Sequence, residues 1–211
     1  MKLTTRWTWV LMATMCHFSW AAAPNNQPSQ WVLDKQSDNI TIYTKHIEGS
    51  DVDAFKGVTT LPASRDSILA IMEDTEALAQ WMPDVISAEL LFHEGNTKIQ
   101  YVQTDIPWPG KNRDGAYQLT LEESDTQTTI LIWAVPEYLE PNPKFVRIPY
   151  AKGFWQLSDV EEGTRVVYQL HAEPGGKLPA WLINKFVTDT PFQALSNLAT
   201  QTSEKGTEYE N

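Results

Sequence analysis

The sequence is poor in cysteine and in basic residues. It has a single cysteine, Cys16, and only 16 Lys and Arg residues against 27 Asp and Glu, which gives a formal net charge of −11 over 211 residues. So acidic a surface repels phosphate backbones, and nucleic acid is therefore not an expected partner. Because one cysteine cannot form a disulfide within the chain, the fold must be stabilised by its hydrophobic core.

Long apolar runs are also absent, apart from one at the N-terminus. Lys2 and Arg6 precede an apolar stretch over residues 7–20, which is followed by three alanines ending at Ala23. This pattern is typical of a secretory signal peptide covering residues 1–23. Its removal takes away two cations and no acid, so 14 basic residues remain against 27 acidic ones and the net charge becomes about −13. We therefore expect a periplasmic or secreted protein.

Motifs for catalysis and metal binding are missing as well. Only His46, His93 and His171 follow the predicted signal peptide, and none has the spacing of a metal site. The sequence contains no GxSxG elbow, Walker loop, GxGxxG or HExxH motif. We therefore expect no catalytic residue, no cofactor and no metal.

The hydrophobic pattern predicts one α+β domain over residues 24–202, followed by a polar tail over residues 203–211. The predicted order is a short amphipathic segment over 31–35, two strands over 40–47 and 54–61, two short helices ending near Trp81, a run of strands from 85 to 172, and a helix after 176. Short turns between successive strands indicate an antiparallel sheet. A helix laid across the concave face of that sheet is the simplest way to bury both.

Aromatic residues are abundant, at 11% of the chain with nine tryptophans. Ordinary core packing is one interpretation of these rings. The other is that they form the walls of an apolar space between the sheet and the helix, where large amphipathic rings suit a ligand cavity.

Four sequence stretches now point to a family. They cover residues 74–81, 107–114 (Pro-Trp-Pro-Gly-Lys-Asn-Arg-Asp), 153–157 (Gly-Phe-Trp-Gln-Leu) and 173–184 (Glu-Pro-Gly-Gly-Lys-Leu-Pro-Ala-Trp-Leu-Ile-Asn). Together they resemble the START domain, the steroidogenic-acute-regulatory-protein-related lipid-transfer family, over residues 31–198. The last stretch departs from the pattern D-P-x-G-x-I-P-x-W-L-x-N only at Glu173 and Leu178.

The resemblance implies a helix-grip fold, in which a curved antiparallel sheet wraps around a C-terminal helix. It also implies a tunnel that holds one lipid, sterol or similar hydrophobe without covalent catalysis, with transfer between membranes as a further option. On this basis the ligand-binding residues are expected to be Trp81, Glu89, Tyr101, Arg113, Tyr117, Trp133, Trp155, Tyr168, Leu182 and Phe186. We further expect a monomer that contacts membranes transiently, with Trp108 as an interfacial anchor.

Arg113 is the most specific polar candidate for ligand binding. Its position alone indicates an exposed charge in a turn. In sterol-carrying START members, however, an arginine at this position pairs with an acid on an earlier strand. Ser87 occupies the place of that acid, and Glu89, which has the same strand parity, is the residue that can substitute for it. Since a buried guanidinium without a partner is costly, Arg113 needs Glu89, backbone carbonyls or a polar ligand group. This favours a ligand with one polar end.

Two other functions stay open from the sequence. Related helix-grip proteins include cyclases and hydrolases, and an acid–base pair in such a cavity would have to come from Glu89, His93, Asp105 or Arg113. The third alternative is an interaction module whose cavity has collapsed around the tryptophans.

Overall fold

The computed structural model describes residues 30–208. The strands are β1 Val32–Ser37, β2 Ile40–Lys45, β3 Ala54–Leu61, β4 Val85–Glu94, β5 Thr97–Thr104, β6 Arg113–Glu123, β7 Gln127–Ala134, β8 Val146–Arg147, β9 Tyr150–Val160 and β10 Gly163–Glu173. The helices are α1 Arg65–Glu73, α2 Leu78–Trp81, α3 Ala180–Asn184 and α4 Thr190–Glu208. A π-helical segment, Lys185–Asp189, joins α3 to α4, and Pro136–Tyr138 forms a 3-10 turn.

The strands form one curved sheet in the order β1-β2-β3-β10-β9-β7-β6-β5-β4. Every neighbouring pair in this order is antiparallel. The predicted α+β class and antiparallel sheet are therefore confirmed. The predicted signal peptide lies outside the described residues.

Two strands differ from the sequence prediction. The short amphipathic segment over residues 31–35 belongs to an edge strand, β1. The segment expected as one more antiparallel strand, β8, pairs instead in parallel with β6. The chain between β7 and β9 folds back against the start of β6, where the amide of Val146 donates to the carbonyl of Asn112 at 2.9 Å and that of Ile148 to Asp114 at 2.8 Å.

The first helix begins directly after its N-cap residue, Ser64. The Ser64 hydroxyl accepts a hydrogen bond from the backbone amide of Ser67 at 3.2 Å, which satisfies one of the amides that a helix start leaves unpaired. Ile68, Ile71 and Met72 are buried on the inward face of α1. The short helix α2 buries Leu78 and Trp81.

The C-terminal helical segment crosses the inner face of the sheet. Leu195 and Leu198 are fully buried, and a Cβ atom placed on Gly57 of β3 would lie only 2.7 Å from Leu195 Cδ1. Pro191 is the second residue of α4, so the regular helix restarts around a residue that has no amide to donate. The helix continues to Glu208, past the predicted domain end at residue 202. None of the helices in the described part of the chain is long and apolar enough to cross a membrane.

Candidate functional site

A cavity of about 290 Å³ lies between the sheet and the helices. Most of its wall is apolar. On the sheet side it is lined by Val102, Leu119, Ile130, Ile132, Trp155 and Leu170, and on the helical side by Met72, Leu78, Trp81, Ile183, Phe186 and Val187. Because this space is not filled by side chains, the interpretation of a cavity that has collapsed around the tryptophans is disfavoured.

Six of the ten residues predicted to bind a ligand line this cavity: Trp81, Arg113, Tyr117, Trp155, Tyr168 and Phe186. Three of the rings form a compact group, in which Trp155 stacks on Tyr168 at 3.7 Å between centroids and Trp81 meets Trp155 edge-on at 5.9 Å. Their part in ligand binding stays a prediction, but their position on the wall is as expected.

Glu89 and Tyr101 do not reach the cavity, so their predicted placement is wrong. The two residues are ladder partners in β4 and β5, and Glu89 is exposed to solvent. Side chains alternate across a strand, and since Val102 faces the cavity, Tyr101 faces the outer side. Its hydroxyl donates to Asp114 Oδ2 at 2.9 Å instead.

Trp133 and Leu182 are the other two corrections. In β7 the neighbouring Ile132 faces the cavity, so Trp133 points outward, where it is 41% exposed and its ring centroid lies 4.4 Å from the Lys152 Nζ atom. Leu182 in α3 is fully buried but packs beside the cavity rather than lining it, and the next residue, Ile183, takes that position.

Arg113 lines one end of the cavity and is held by backbone carbonyls. Its side chain donates from Nε to the carbonyl of Pro174 at 3.1 Å, from Nη2 to Gly175 at 2.9 Å, and from Nη1 to Lys111. The sequence left Glu89, backbone carbonyls and a polar ligand group as possible partners of Arg113. In the structure its protein partners are backbone carbonyls, and Glu89 is not among them. Burial lowers the pKa of Arg113.

The carbonyls that meet Arg113 belong to the turn before the C-terminal helical segment and to the loop before β6. In the turn, Gly175 and Gly176 have φ angles of 66° and 63°, in the left-handed region that glycine adopts most readily. Arg113 thus connects three features at this end: the loop before β6, the turn after β10, and the cavity itself.

Tyr117 and Tyr168 are two further residues of the wall that carry a polar group. Burial raises the pKa of both phenols, and each is therefore protonated at neutral pH. A Cβ atom placed on Gly115 would lie 2.6 Å from both Cζ and the hydroxyl oxygen of Tyr117, so the Tyr117 ring covers this glycine.

A second cation, Lys98, lies near the opposite end. Its Nζ donates to the carbonyl of Glu73 at 2.9 Å and to Thr75 Oγ1 at 3.4 Å, and burial lowers its pKa. Thr104 is the ladder partner of Arg113, and Lys98 lies six residues before it on the same face of β5. At about 3.3 Å per residue the two ends are therefore about 20 Å apart.

Lys98 and the aliphatic wall residues were not predicted from the sequence. In β5, Lys98, Gln100, Val102 and Thr104 alternate with outward residues and all line the cavity, but the alternation by itself does not tell which of the two faces is inward. Among residues 30–208 no group of three or more His, Cys, Asp or Glu side chains is arranged to hold a metal ion.

A curved antiparallel sheet that grips a C-terminal helix around an apolar cavity defines the helix-grip class of folds. The model of the START domain family matches residues 22–207, and the chain belongs to this family. The resemblance found in the four sequence stretches is thereby confirmed.

Three relatives illustrate the similarity. The chain is 33% identical over 189 residues to an uncharacterized protein of Pseudomonas aeruginosa, covering 89% of this chain and 94% of that protein. It is 26% identical over 164 residues to the phosphatidylcholine transfer protein of Mus musculus, covering 74% and 76%. The crystal structure of a STAR-related lipid transfer protein fragment from Xanthomonas axonopodis superposes with a TM-score of 0.77 at 40% identity, covering 82% of this chain and 98% of that one.

Proposed function

We propose that the protein binds one lipid, or a similar hydrophobe with a polar end, inside the cavity and carries it without covalent chemistry. The observation that carries this proposal is the apolar and aromatic cavity enclosed between sheet and helix, with the buried cation Arg113 at one end. Apolar walls with a few polar groups that fix orientation are the usual design of a ligand pocket.

The dimensions of the cavity support an acyl chain as the apolar part. The distance of about 20 Å from Lys98 to Arg113 along β5 exceeds one leaflet of a bilayer, which is about 15 Å of hydrocarbon, or half of about 30 Å. The spacing of these wall residues along β5 therefore suits a single acyl chain in an extended form.

Relatives support transfer as the role. The mouse relative is named for phosphatidylcholine transfer and the Xanthomonas structure for lipid transfer. We propose that this chain likewise moves its ligand between membranes, and that it acts as a monomer.

Two exposed tryptophans support transient membrane contact at the Arg113 end. Trp108 is 89% exposed in the loop before β6, and Trp181 is 54% exposed at the start of α3. The two segments are neighbours, because Arg113 donates to carbonyls of both Lys111 and Gly175. Tryptophan is enriched at membrane interfaces and needs no basic charge to bind there.

The alternative of an enzyme finds little support in the cavity. Of the four residues considered as an acid–base pair, Glu89 and Asp105 are exposed and do not line it. His93 pairs with Lys98 in the ladder, at the end away from Arg113. The structure therefore does not bring these residues together.

Export to the periplasm or beyond belongs to the same proposal and rests on the N-terminal pattern of residues 1–23. Mass measurement of the protein recovered from a periplasmic fraction tests it. The proposal expects a chain that begins at Pro24, and a full-length chain found only in the cytoplasm contradicts it.

Native mass spectrometry tests the binding function. After incubation with phosphatidylcholine, fatty acid, sterol or isoprenoid, we expect one bound molecule per chain for at least one class. The variant Leu119→Trp/Ile130→Trp narrows the cavity from two strands and should lose the adduct. The matched control Gln118→Trp/Leu131→Trp puts the same rings on the outer face and should keep it. A wild-type protein that takes up none of these hydrophobes overturns the proposal.

A further inference from the structure

The cavity reaches the surface at the Lys98 end. Of the cavity-lining residues in the described part of the chain, those exposed to solvent are Glu73, His93, Gly95 and Asn96. Glu73 is the last residue of α1, and the other three belong to the end of β4 and the turn into β5. Arg113, at the other end, is only 3% exposed. The cavity therefore has a mouth between α1 and the β4–β5 turn.

Polar side chains at this mouth are joined by direct contacts. Lys98 Nζ donates to the carbonyl of Glu73 at 2.9 Å and to Thr75 Oγ1 at 3.4 Å. Thr75 Oγ1 in turn donates to Gln100 Oε1 at 3.3 Å. His93 is the ladder partner of Lys98 and also lines the cavity, so the two side chains are neighbours on the inner face. His93, Lys98 and Gln100 thus form one group, the mouth cluster.

The mouth cluster has hydrogen-bonding capacity that the protein does not use. An ammonium group carries three protons, and Lys98 uses two of them. The Gln100 amide accepts through Oε1, while its Nε2 makes no hydrogen bond to the rest of residues 30–208. Within the same residues neither ring nitrogen of His93 has a hydrogen-bond partner. A ligand with oxygen atoms can therefore accept from this cluster.

The charges around the mouth favour an uncharged ligand group. Burial lowers the pKa of Lys98, and the nearby carboxylates of Glu73 and Asp74 oppose that shift. An anionic head group would be repelled by these two carboxylates, and a cationic one by Lys98. An uncharged group with hydroxyls is repelled by neither, and its oxygens can accept from Lys98 and Gln100.

We infer that the mouth cluster of His93, Lys98 and Gln100 binds the uncharged, hydroxyl-bearing head of a single-chain lipid such as a monoacylglycerol. This inference rests on the proposed function and assigns a second polar site, at the end of the cavity away from Arg113. The lipid then lies with its head at Lys98 and its acyl chain directed toward Arg113.

The proposed membrane contact is consistent with this orientation. Trp108 and Trp181 lie at the Arg113 end, so a lipid drawn from a membrane there enters head first, because its head lies at the membrane surface. The head must then pass the apolar wall to reach Lys98. Moving a charge through apolar surroundings costs far more than moving a hydroxyl group, which again favours an uncharged head.

Three probes with the same acyl chain test the site: 1-hexadecanoylglycerol, methyl hexadecanoate and hexadecanoate. In a competition measured by native mass spectrometry, the wild-type protein is expected to prefer the glycerol ester over the methyl ester, which has no hydroxyl. Lys98→Met and Gln100→Leu each remove a donor and should each reduce this preference by about fivefold. Binding of hexadecanoate relative to the methyl ester should not change.

Matched variants control for position and for folding. Gln103→Leu makes the same replacement on the outer face of β5, and Thr104→Val removes a hydroxyl from the cavity wall beside Arg113. Both should keep the preference for the glycerol ester. Gln100→Leu leaves Lys98 and its two bonds in place, so it tests the site even if Lys98→Met fails to fold.

The outcomes separate this inference from the proposed function. Loss of the preference in Lys98→Met and Gln100→Leu, but not in the two controls, supports the site. A wild-type protein without the preference, or a preference that both variants retain, overturns it. Equal weakening of hexadecanoate and the glycerol ester by Lys98→Met also overturns it, because the site would then take anions. Failure of all three probes to bind the wild type contradicts the proposed function itself.

Photocrosslinking locates the head directly. A diazirine group attached to the glycerol of the same lipid is expected to label residues 93–100 in the wild-type protein. Labelling confined to residues 106–114 would place the head beside Arg113 and overturn the inference while leaving lipid binding intact.

Discussion

Asp114 and Arg147 form a two-point salt bridge on the face of the sheet opposite the cavity. Arg147 Nε lies 3.0 Å from Asp114 Oδ1, and Nη2 lies 3.0 Å from Oδ2. The remaining hydrogen bonds of this guanidinium go to the carbonyls of Pro136, Leu139 and Glu140. Arg113 and Asp114 are consecutive in β6 and point to opposite faces. Asp114 holds the loop that contains Arg147 on the outer face, and Arg113 holds the turn at Pro174 and Gly175 on the cavity face.

Asp114→Asn is expected to lower the free energy of unfolding by about 3 kcal/mol, because it leaves the largely buried Arg147 charge without its counter-charge. Urea denaturation measures the loss. In a double-mutant cycle, Arg147→Met should cost much less when combined with Asp114→Asn than when introduced into the wild type. Additive losses would show that the pair is not coupled.

Arg113→Met should affect both folding and binding. Loss of the bonds to Pro174 and Gly175 is expected to lower the free energy of unfolding by about 1 to 3 kcal/mol. Anionic lipids should also bind more weakly. Lys177→Met removes an exposed cation from the same turn and serves as the control. Unchanged stability would mean that the carbonyl contacts of Arg113 do not hold the turn.

The alternation of side chains along a strand limits how much of the cavity wall can be predicted from the sequence. In β3, buried and half-buried residues alternate along most of the strand. In β5 and β7 both faces of the strand carry apolar or aromatic side chains. The outer face can carry them because it is partly covered, by the loop that Arg147 holds and by the Lys152 side chain over the Trp133 ring. The pattern alone therefore could not decide between Tyr101 and Val102.

The misplacement of Glu89 has a different cause. The β4 ladder shifts register between Val85 and Ser87 and again between Leu90 and Phe92. Each shift breaks the simple alternation that the sequence argument assumes. By contrast, Arg113 and the rings of Trp155 and Tyr168 lie in regular strands, and their predicted position on the cavity wall agrees with the structure.

Trp108→Ala should slow transfer of lipid between neutral vesicles and leave binding in solution unchanged. If membrane contact limits transfer, removing the Trp108 ring costs about 1.4 kcal/mol of binding free energy at the membrane interface, and the transfer rate should fall about tenfold. A fluorescent-lipid transfer assay measures it. Trp133→Ala removes an exposed ring from the outer face and should transfer at the wild-type rate. Equal rates for both variants would contradict the membrane contact at Trp108.

The raised pKa values of Tyr117 and Tyr168 make stability depend on alkaline pH. The folded protein keeps both phenol protons above about pH 10, where the unfolded chain releases them. The free energy of unfolding should therefore be unaffected by these groups well below about pH 10 and fall as the pH rises through it. Urea denaturation between about pH 8 and 11 should show a shallower fall for Tyr117→Phe/Tyr168→Phe than for the wild type. Identical slopes would place both phenols in contact with solvent.

Mass spectrometry of the protein isolated without detergent from its own cells tests the central claim most directly. The account predicts a complex of one chain with one hydrophobe, from which solvent extraction releases a lipid with one polar end. The Leu119→Trp/Ile130→Trp variant prepared in parallel should carry none. A wild-type protein that is free of lipid as isolated, and that stays so after exposure to membranes from the same cells, would contradict the account.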